Sequence, residues 1–245
     1  MATIMERRTV LFRALSQVAQ GEVGMTRRAL VIGASGGIGT ALSAALATYG
    51  SEVTRLSRAG DGLDLTDPTS VERAMSVLRG PFDTVLIASG ILAPEGARPE
   101  KSLAEIDAEN LARVLAVNAI GPALVLKHLP RLLPQDAQCV VGVLTARVGT
   151  IGDNHLGGWY SYRASKAAAN QIVRTAAIEI SRKRKQAIVV SLHPGTVETP
   201  FSKAYSGHAK VTPNEAAANL VAVLDQLTPA DNGGFFDWAG KPVPW

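Results

Sequence analysis

Tyr162-Arg163-Ala164-Ser165-Lys166 sets a phenol and an ammonium four residues apart in an alanine-rich stretch of helical spacing, so the two groups share one face. A pair of that kind can move a proton. A tyrosine ionises near pH ~10, and a lysine charge held beside it favours the phenolate, which brings the phenol toward useful acidity at neutral pH. The chemistry implied is proton delivery to, or removal from, the oxygen of a carbonyl or an alcohol. Tyr160 is a competing phenol, but its offset of six residues from Lys166 turns it about 240° around the helix. Alone, the Tyr162 and Lys166 pair also reads as an ordinary surface contact between neighbouring helical turns.

A second chemical feature stands far upstream. Ala29-Leu30-Val31-Ile32 reads as a buried strand and runs into Gly33-Ala34-Ser35-Gly36-Gly37-Ile38-Gly39, after which a helical pattern begins. Glycines there permit a tight turn and let backbone N–H groups approach a pyrophosphate at the start of a helix. Gly33, Ser35, Gly37, Ile38 and Gly39 are therefore candidate dinucleotide-binding residues. The same residues also satisfy the G-x-S-x-G pattern of a hydrolase nucleophile elbow, with His193 and Asp153 in an order that completes a triad. Against it, a hydrolase builds several strands before its elbow, and nothing sheet-like precedes Ala29.

The next strand-like run ends at Leu56 and is followed by Ser57 and Arg58. An NAD site places a carboxylate there for the ribose 2′-hydroxyl; a hydroxyl and a guanidinium suit a 2′-phosphate instead. NADP(H) is thus expected over NAD(H). Asp64 and Leu65, one short apolar step further on, are placed to border the adenine.

Strand-like runs at Ala29 to Ile32, Glu52 to Leu56, Thr84 to Ala88, Gln138 to Leu144 and Ala187 to Leu192 alternate with helical stretches. The helices are expected at Ile38 to Tyr49, Ser70 to Leu78, Leu103 to Leu133 with a bend near Gly121-Pro122, Tyr160 to Lys183, and Pro213 to Leu227. This alternation predicts one α/β domain over 25–245, a Rossmann-type doubly wound parallel sheet flanked by helices. Residues 1–24 precede the first strand and carry Val10, Leu11, Leu15 and Val18 at helical spacing, which predicts an appended helix. Two irregular segments, Ile91 to Ser102 and Thr196 to Val211, are long enough to be functional loops.

Composition narrows the function classes. The net charge of +4 has one dense basic run, Arg182-Lys183-Arg184-Lys185, which follows a helical pattern and lacks interleaved aromatics, so no nucleic-acid partner is expected. Apolar runs such as Cys139 to Leu144 are strand-length, so no membrane span is expected. The single cysteine, Cys139, excludes an internal disulfide and suits a reducing, cytoplasmic setting; no metal site is expected.

With the glycine turn, the Tyr162 and Lys166 pair and the alternation between them, the chain resembles a short-chain dehydrogenase/reductase from about residue 27 to its end. The TGxxxGxG pattern corresponds to Ile32 through Gly39 with isoleucine for threonine, and YxxxK corresponds to Tyr162 and Lys166. Further similarity to the C-factor-like and sniffer-like carbonyl reductase branch lies in Gly157 to Lys166, Leu192 to Thr199, and the tail from Phe235-Phe236-Asp237-Trp238 to Pro244-Trp245. The resemblance implies that Tyr162 is the acid/base, that Lys166 lowers its pKa and binds the nicotinamide ribose, and that Asn118 anchors a water relay at a helix bend. It also implies that Pro194, Gly195, Val197 and Thr199 cradle the nicotinamide, and that the chain pairs into a dimer or tetramer through its long helices.

Two departures from the family pattern bear on this. Ala88-Ser89-Gly90 stands where the family carries NNAG; small residues still let the backbone approach a cofactor. The family serine is missing: alignment on Gly149-Thr150-Ile151 puts Ala146 in its place with Thr145 just before, counting back from Tyr162 lands near Thr150 instead, and the hydroxyls on offer are Thr145 and Thr150. The expected activity is NADP(H)-dependent reduction of an aldehyde or ketone, or oxidation of the corresponding alcohol, with Tyr162, Lys166, Asn118 and Thr145 as the catalytic set. The rival from another class is an NADPH-binding signalling or regulatory protein with little turnover.

Overall fold

The structure, a computed structural model, describes residues 26–202 and 209–245. The helix expected over residues 1–24, and residues 203–208 of the loop expected from Thr196 to Val211, lie outside the described residues. Six strands form one sheet: β1 (Arg28–Ile32), β2 (Glu52–Leu56), β3 (Thr84–Ile87), β4 (Cys139–Leu144), β5 (Ala187–His193) and β6 (Phe235–Asp237). The order is β2-β1-β3-β4-β5-β6 and each neighbouring pair is parallel. Five of these strands were expected from the sequence. β6 was not, because three residues set beside Ser191 to His193 carry no pattern of their own.

Alternate residues along each strand feed two separate cores, as a sheet covered on both faces requires. Leu30, Ile32, Val85, Ile87, Val141 and Val143 pack on one face with Val71 and Met75 of α3 (Pro68–Ser76), after α1 (Gly37–Thr48) and the short α2 (Arg58–Asp61). On the other face Ala29, Val31, Leu86, Ile188 and Val190 meet Leu42 and Leu46 of α1. Helix starts follow local chemistry: Asp67 accepts from the N–H of Thr69 ahead of α3, with Pro68 at its first position.

The long helix expected from Leu103 begins later and is interrupted. Asp107 caps α4 (Ala108–Leu115) by accepting from the N–H of Asn110. A π-helical segment, Ala116–Ile120, follows, and then α5 (Gly121–His128). Pro122 has no N–H, so the carbonyl of Asn118 loses the partner a regular helix would give it, and Gly121 instead bonds back to Ala116. The 25-residue helical run Ala108–Leu132, with mean hydropathy 1.2 in its most apolar stretch, meets the length and composition of a membrane span, contrary to the expectation from strand-length runs. Its Val125, Leu126, Leu129 and Leu132 are nevertheless buried in the sheet core, so it serves as an element of this fold. Two further helices complete the layers, α6 (Tyr160–Lys183) and α7 (Pro213–Gln226).

Candidate active site

The strand order reverses at β1, whose neighbours are β2 and β3, and ligands of open α/β sheets bind outside the carboxyl ends of strands at such a point. A cavity of about 630 Å³ lies there. Gly33, Ser35, Ser57, Arg58, Asp64, Leu65, Ala88, Ser89 and Gly90 all line it, which gathers nine sequence-predicted cofactor residues around one cleft.

Its floor has no room for side chains. Gly33 has φ +82°, and a Cβ there would lie 3.0 Å from the backbone of Ala88 and Ser89; a Cβ on Gly39 would lie 2.2 Å from the carbonyl oxygen of Gly33. A Cβ on Gly37 would lie 2.8 Å from Cγ2 of Thr199, so the glycine turn abuts the segment after β5. Ile38 is half-buried and packs on the core beneath, lining no part of the cleft. Pro194, Gly195 and Val197 also sit outside it; Gly195, at φ +80°, is backed by the indole of Trp238, where a Cβ would lie 3.0 Å from Cδ1.

At the adenosine end the two expected phosphate contacts differ. Arg58 is exposed at the cleft wall and forms no ion pair among the described residues. Ser57 is buried and caps α2, its hydroxyl accepting from the N–H of Gly60 at 2.9 Å, which leaves the O–H proton to give. Asp61, the acid nearest in sequence, turns back to accept from the N–H of Ser57 at 2.9 Å and does not line the cleft. Asp64 is held below the usual carboxylate range by bonds from the Thr66 hydroxyl and N–H, at 2.7 and 2.8 Å. Arg55, overlooked in the sequence, approaches the Ala34 carbonyl at 3.4 Å with its guanidinium.

At the opposite end Asn118 is buried and its amide is fully engaged. Its Oδ1 accepts from Ile91 N–H at 2.8 Å, while Nδ2 donates to the Ile91 carbonyl at 2.8 Å and to Ser165 Oγ at 3.0 Å. This side chain therefore pins the start of the 91–102 loop to α6. Ser165 in turn donates to the carbonyl of Tyr162 at 2.8 Å. Gly90 lies between, since a Cβ there would be 3.3 Å from Asn118 Oδ1 and 3.4 Å from Lys166 Nζ.

Tyr162 and Lys166 are both buried on the inner face of α6, not at the surface. The lysine Nζ lies 5.8 Å from the centre of the phenol ring and donates to the Leu144 carbonyl at 3.0 Å. Burial adds an effect that the spacing of Tyr162 and Lys166 does not show. Burial pushes the Tyr162 phenol above its ordinary value, and burial lowers the Lys166 ammonium to about 8. The phenol is thus held in its protonated, acid form. Trp159 and Phe201 pack edge-on against it, with ring centres 6.1 and 5.8 Å away.

The threonines separate cleanly. Thr150 donates its hydroxyl to the carbonyl of Pro244 at 2.8 Å. Thr145, at the end of β4, has a buried hydroxyl with no hydrogen-bond partner among the described residues, an arrangement that calls for a ligand or water. Asp153 is bound to Arg147 Nε at 2.6 Å, and the charges acting on buried His193 are those of Asp237 and Arg147. His193 is lowered by its burial to about 4. The hydrolase triad is therefore not assembled.

One residue the sequence reading missed completes the site. The buried carboxylate of Glu100 accepts from the N–H of Ser161 at 3.2 Å and from its hydroxyl, while the Glu100 carbonyl accepts from the N–H of Trp159. It caps α6 one residue before Tyr162. The 91–102 loop is consequently fastened at both ends, by Asn118 at Ile91 and by Glu100 at α6.

Residues 27–210 match the family model described as short chain dehydrogenase. The chain belongs to the short-chain dehydrogenase family. Among its relatives is 1-hydroxy-2-glutathionyl-2-methyl-3-butene dehydrogenase of Rhodococcus sp. (strain AD45), 33% identical over 88% of this chain and 98% of that protein. The C-signal protein of Myxococcus xanthus is 33% identical over 70% of this chain and 98% of its own length. Among solved structures, a carbonyl reductase of Pseudomonas aeruginosa PAO1 in complex with NADP superposes with a TM-score of 0.74 at 26% identity, covering 90% of this chain and all of that one. These relatives put this short-chain dehydrogenase in the carbonyl-reductase-like branch.

Proposed function

We propose that this oxidoreductase uses NADP(H) to interconvert an aldehyde or ketone with its alcohol. The observation that carries the reading is the meeting of Gly90, Asn118 and Lys166 within one helix turn of Tyr162, at the end of a cleft whose glycine floor suits a dinucleotide. Bound NADP(H) supplies or accepts the hydride. In the reducing direction Tyr162, protonated because it is buried, gives its hydroxyl proton to the carbonyl oxygen. Lys166, as the ammonium, stabilises the phenolate left behind and contacts the nicotinamide ribose. Thr145, whose hydroxyl has no other partner, donates to the same substrate oxygen. Asn118 acts differently from a side-chain relay: its amide is committed to Ile91 and Ser165, so it positions the loop and α6, and only its π-segment carbonyl is left for a water.

Arg58 and the free proton of Ser57 support a 2′-phosphate, and the NADP complex of the Pseudomonas reductase supports the same choice. The name of the Rhodococcus relative, a dehydrogenase of a hydroxy compound, supports the oxidising direction as well. Pairing with a second copy through α4, α5 and α6, where Ile120 and Ile178 are exposed, belongs to the same proposal. A second reading, a cofactor-binding regulator with little turnover, is favoured by Ala146 in the place of the family serine and by the likeness to C-signal.

NADPH oxidation against a panel of carbonyls, by wild type and Tyr162→Phe, separates the two. Turnover that falls at least ~100-fold in the variant supports the enzyme. Turnover unchanged by the substitution rejects the mechanism, and NADPH binding with no turnover of any carbonyl favours the regulator. In the same assay Arg58→Asp should move preference toward NADH; an unaltered ratio rejects the phosphate contact.

A further inference from the structure

Beyond Gly90 the cleft opens into a second cavity of about 430 Å³, which shares Gly90, Ile91 and Ala93 with the first. Phe201 forms part of its wall and packs edge-on against Tyr162, so the cavity adjoins the proposed proton donor through that ring. Its remaining walls are apolar apart from one residue. Leu92, Ala97 and Pro99 offer hydrocarbon, and Arg98 brings the only charge among the described residues that line it.

Arg98 forms no ion pair and no side-chain hydrogen bond among the described residues; the three ion pairs found there join Arg27 to Asp225, Arg28 to Glu52, and Arg147 to Asp153. Glu95, the acid three residues away, lines the first cavity and lies beyond ion-pair distance. Nor is Arg98 on a loosely held loop. Its neighbour but one, Glu100, is buried and bonded to α6, and Ile91 is bonded to Asn118 at the loop's other end. An uncompensated guanidinium, carried on a fastened loop at the rim of an apolar cavity, fits a substrate with two features: a hydrocarbon middle and an anionic end.

We infer that the substrates of this site are carbonyl compounds or alcohols bearing a carboxylate or similar anion, which Arg98 engages while the reacting oxygen faces Tyr162. The inference rests on the carbonyl-reductase reading of the site. It is tested with straight-chain ω-oxo acids of short, medium and long chain, each beside its neutral primary amide, in wild type, Arg98→Gln and Arg98→Lys. Expected is a kcat/KM about fivefold higher for the acid than for the amide at the best chain length, the upper range of an exposed ion pair. That ratio should shrink with added salt, fall to about one in Arg98→Gln and recover in part in Arg98→Lys. Acids no better than amides at every length, or a preference that survives Arg98→Gln, overturns the inference.

In parallel, calorimetric binding of the matching ω-hydroxy acids and ω-hydroxy amides to the NADP+-loaded protein reads the same preference without turnover. An acid preference in binding that Arg98→Gln abolishes, with no turnover of any carbonyl, rejects the enzymatic reading while keeping the anion site. Equal binding of acid and amide rejects the anion site alone.

Discussion

Glu100→Ala removes the acceptor of two buried donors at once, the N–H and the hydroxyl of Ser161 in the first turn of α6. A buried donor left unpaired costs ~1–3 kcal/mol, and loss of a helix cap costs typically ~1 kcal/mol. Because water enters part of the space a truncated side chain leaves, a sum of about 3 kcal/mol is expected. In a chain of this size each kcal/mol lowers Tm by ~2–4 °C, so the melting point should fall ~6–12 °C. Urea titration of wild type, Glu100→Ala, Ser161→Ala and the double variant gives the coupling directly, with an interaction above ~1 kcal/mol expected. Glu100→Gln, which keeps one acceptor, should lose about half as much. A loss below ~0.5 kcal/mol in Glu100→Ala, with no coupling to Ser161, would refute the view that this carboxylate holds the catalytic helix to the loop.

Two further outcomes follow from the hydroxyls and the amine. Thr145→Val should leave stability within ~1 kcal/mol, since an unpartnered hydroxyl is lost, yet lower kcat at least ~10-fold; Thr150→Val should do the reverse, losing ~1 kcal/mol through its bond to Pro244 with kcat little changed. Reversed results would exchange their roles. For Lys166 the folded pKa of about 8 lies below the ordinary lysine value, so between the two the unfolded chain binds more protons and stability must rise with pH. The penalty of burying the charge is complete below pH ~8 and relieved as pH climbs from there toward ~10. Comparing urea unfolding of wild type and Lys166→Met across that window should show their difference changing as wild type gains stability; a constant difference would mean that the amine stays charged in the fold and its pKa is not lowered by burial.

Much of this architecture was legible because burial on both faces of a parallel sheet leaves continuous apolar runs, as in Cys139 to Leu144, and because stretches of helical spacing separate those runs. The glycine turn was legible for a steric reason: Gly39 meets the Gly33 carbonyl, and no other residue fits. Other features depend on contacts far apart in the chain. Glu100 and Ser161 are 61 residues apart, and Thr150 and Pro244 are 94 apart, so neither bond leaves a local pattern. The burial of Tyr162 was not legible for a related reason. Spacing of four residues gives the nearness of a charge but says nothing of the burial that outweighs it. The start of the long helix at Ala108 was likewise decided by the cap at Asp107, where hydrophobic spacing alone pointed to Leu103.

The two-ended fastening of the 91–102 loop also bears on how such a protein can diverge. One anchor is the backbone of Ile91 and the other is Glu100, through its carboxylate and its carbonyl. Neither uses the side chains of Leu92, Ala97 or Arg98, which line the second cavity. Mutations at those three positions can therefore reshape that cavity without disturbing either anchor. On the function proposed above, substrate range and chemistry would then be carried by separate residues, and new specificities would be reachable by single steps.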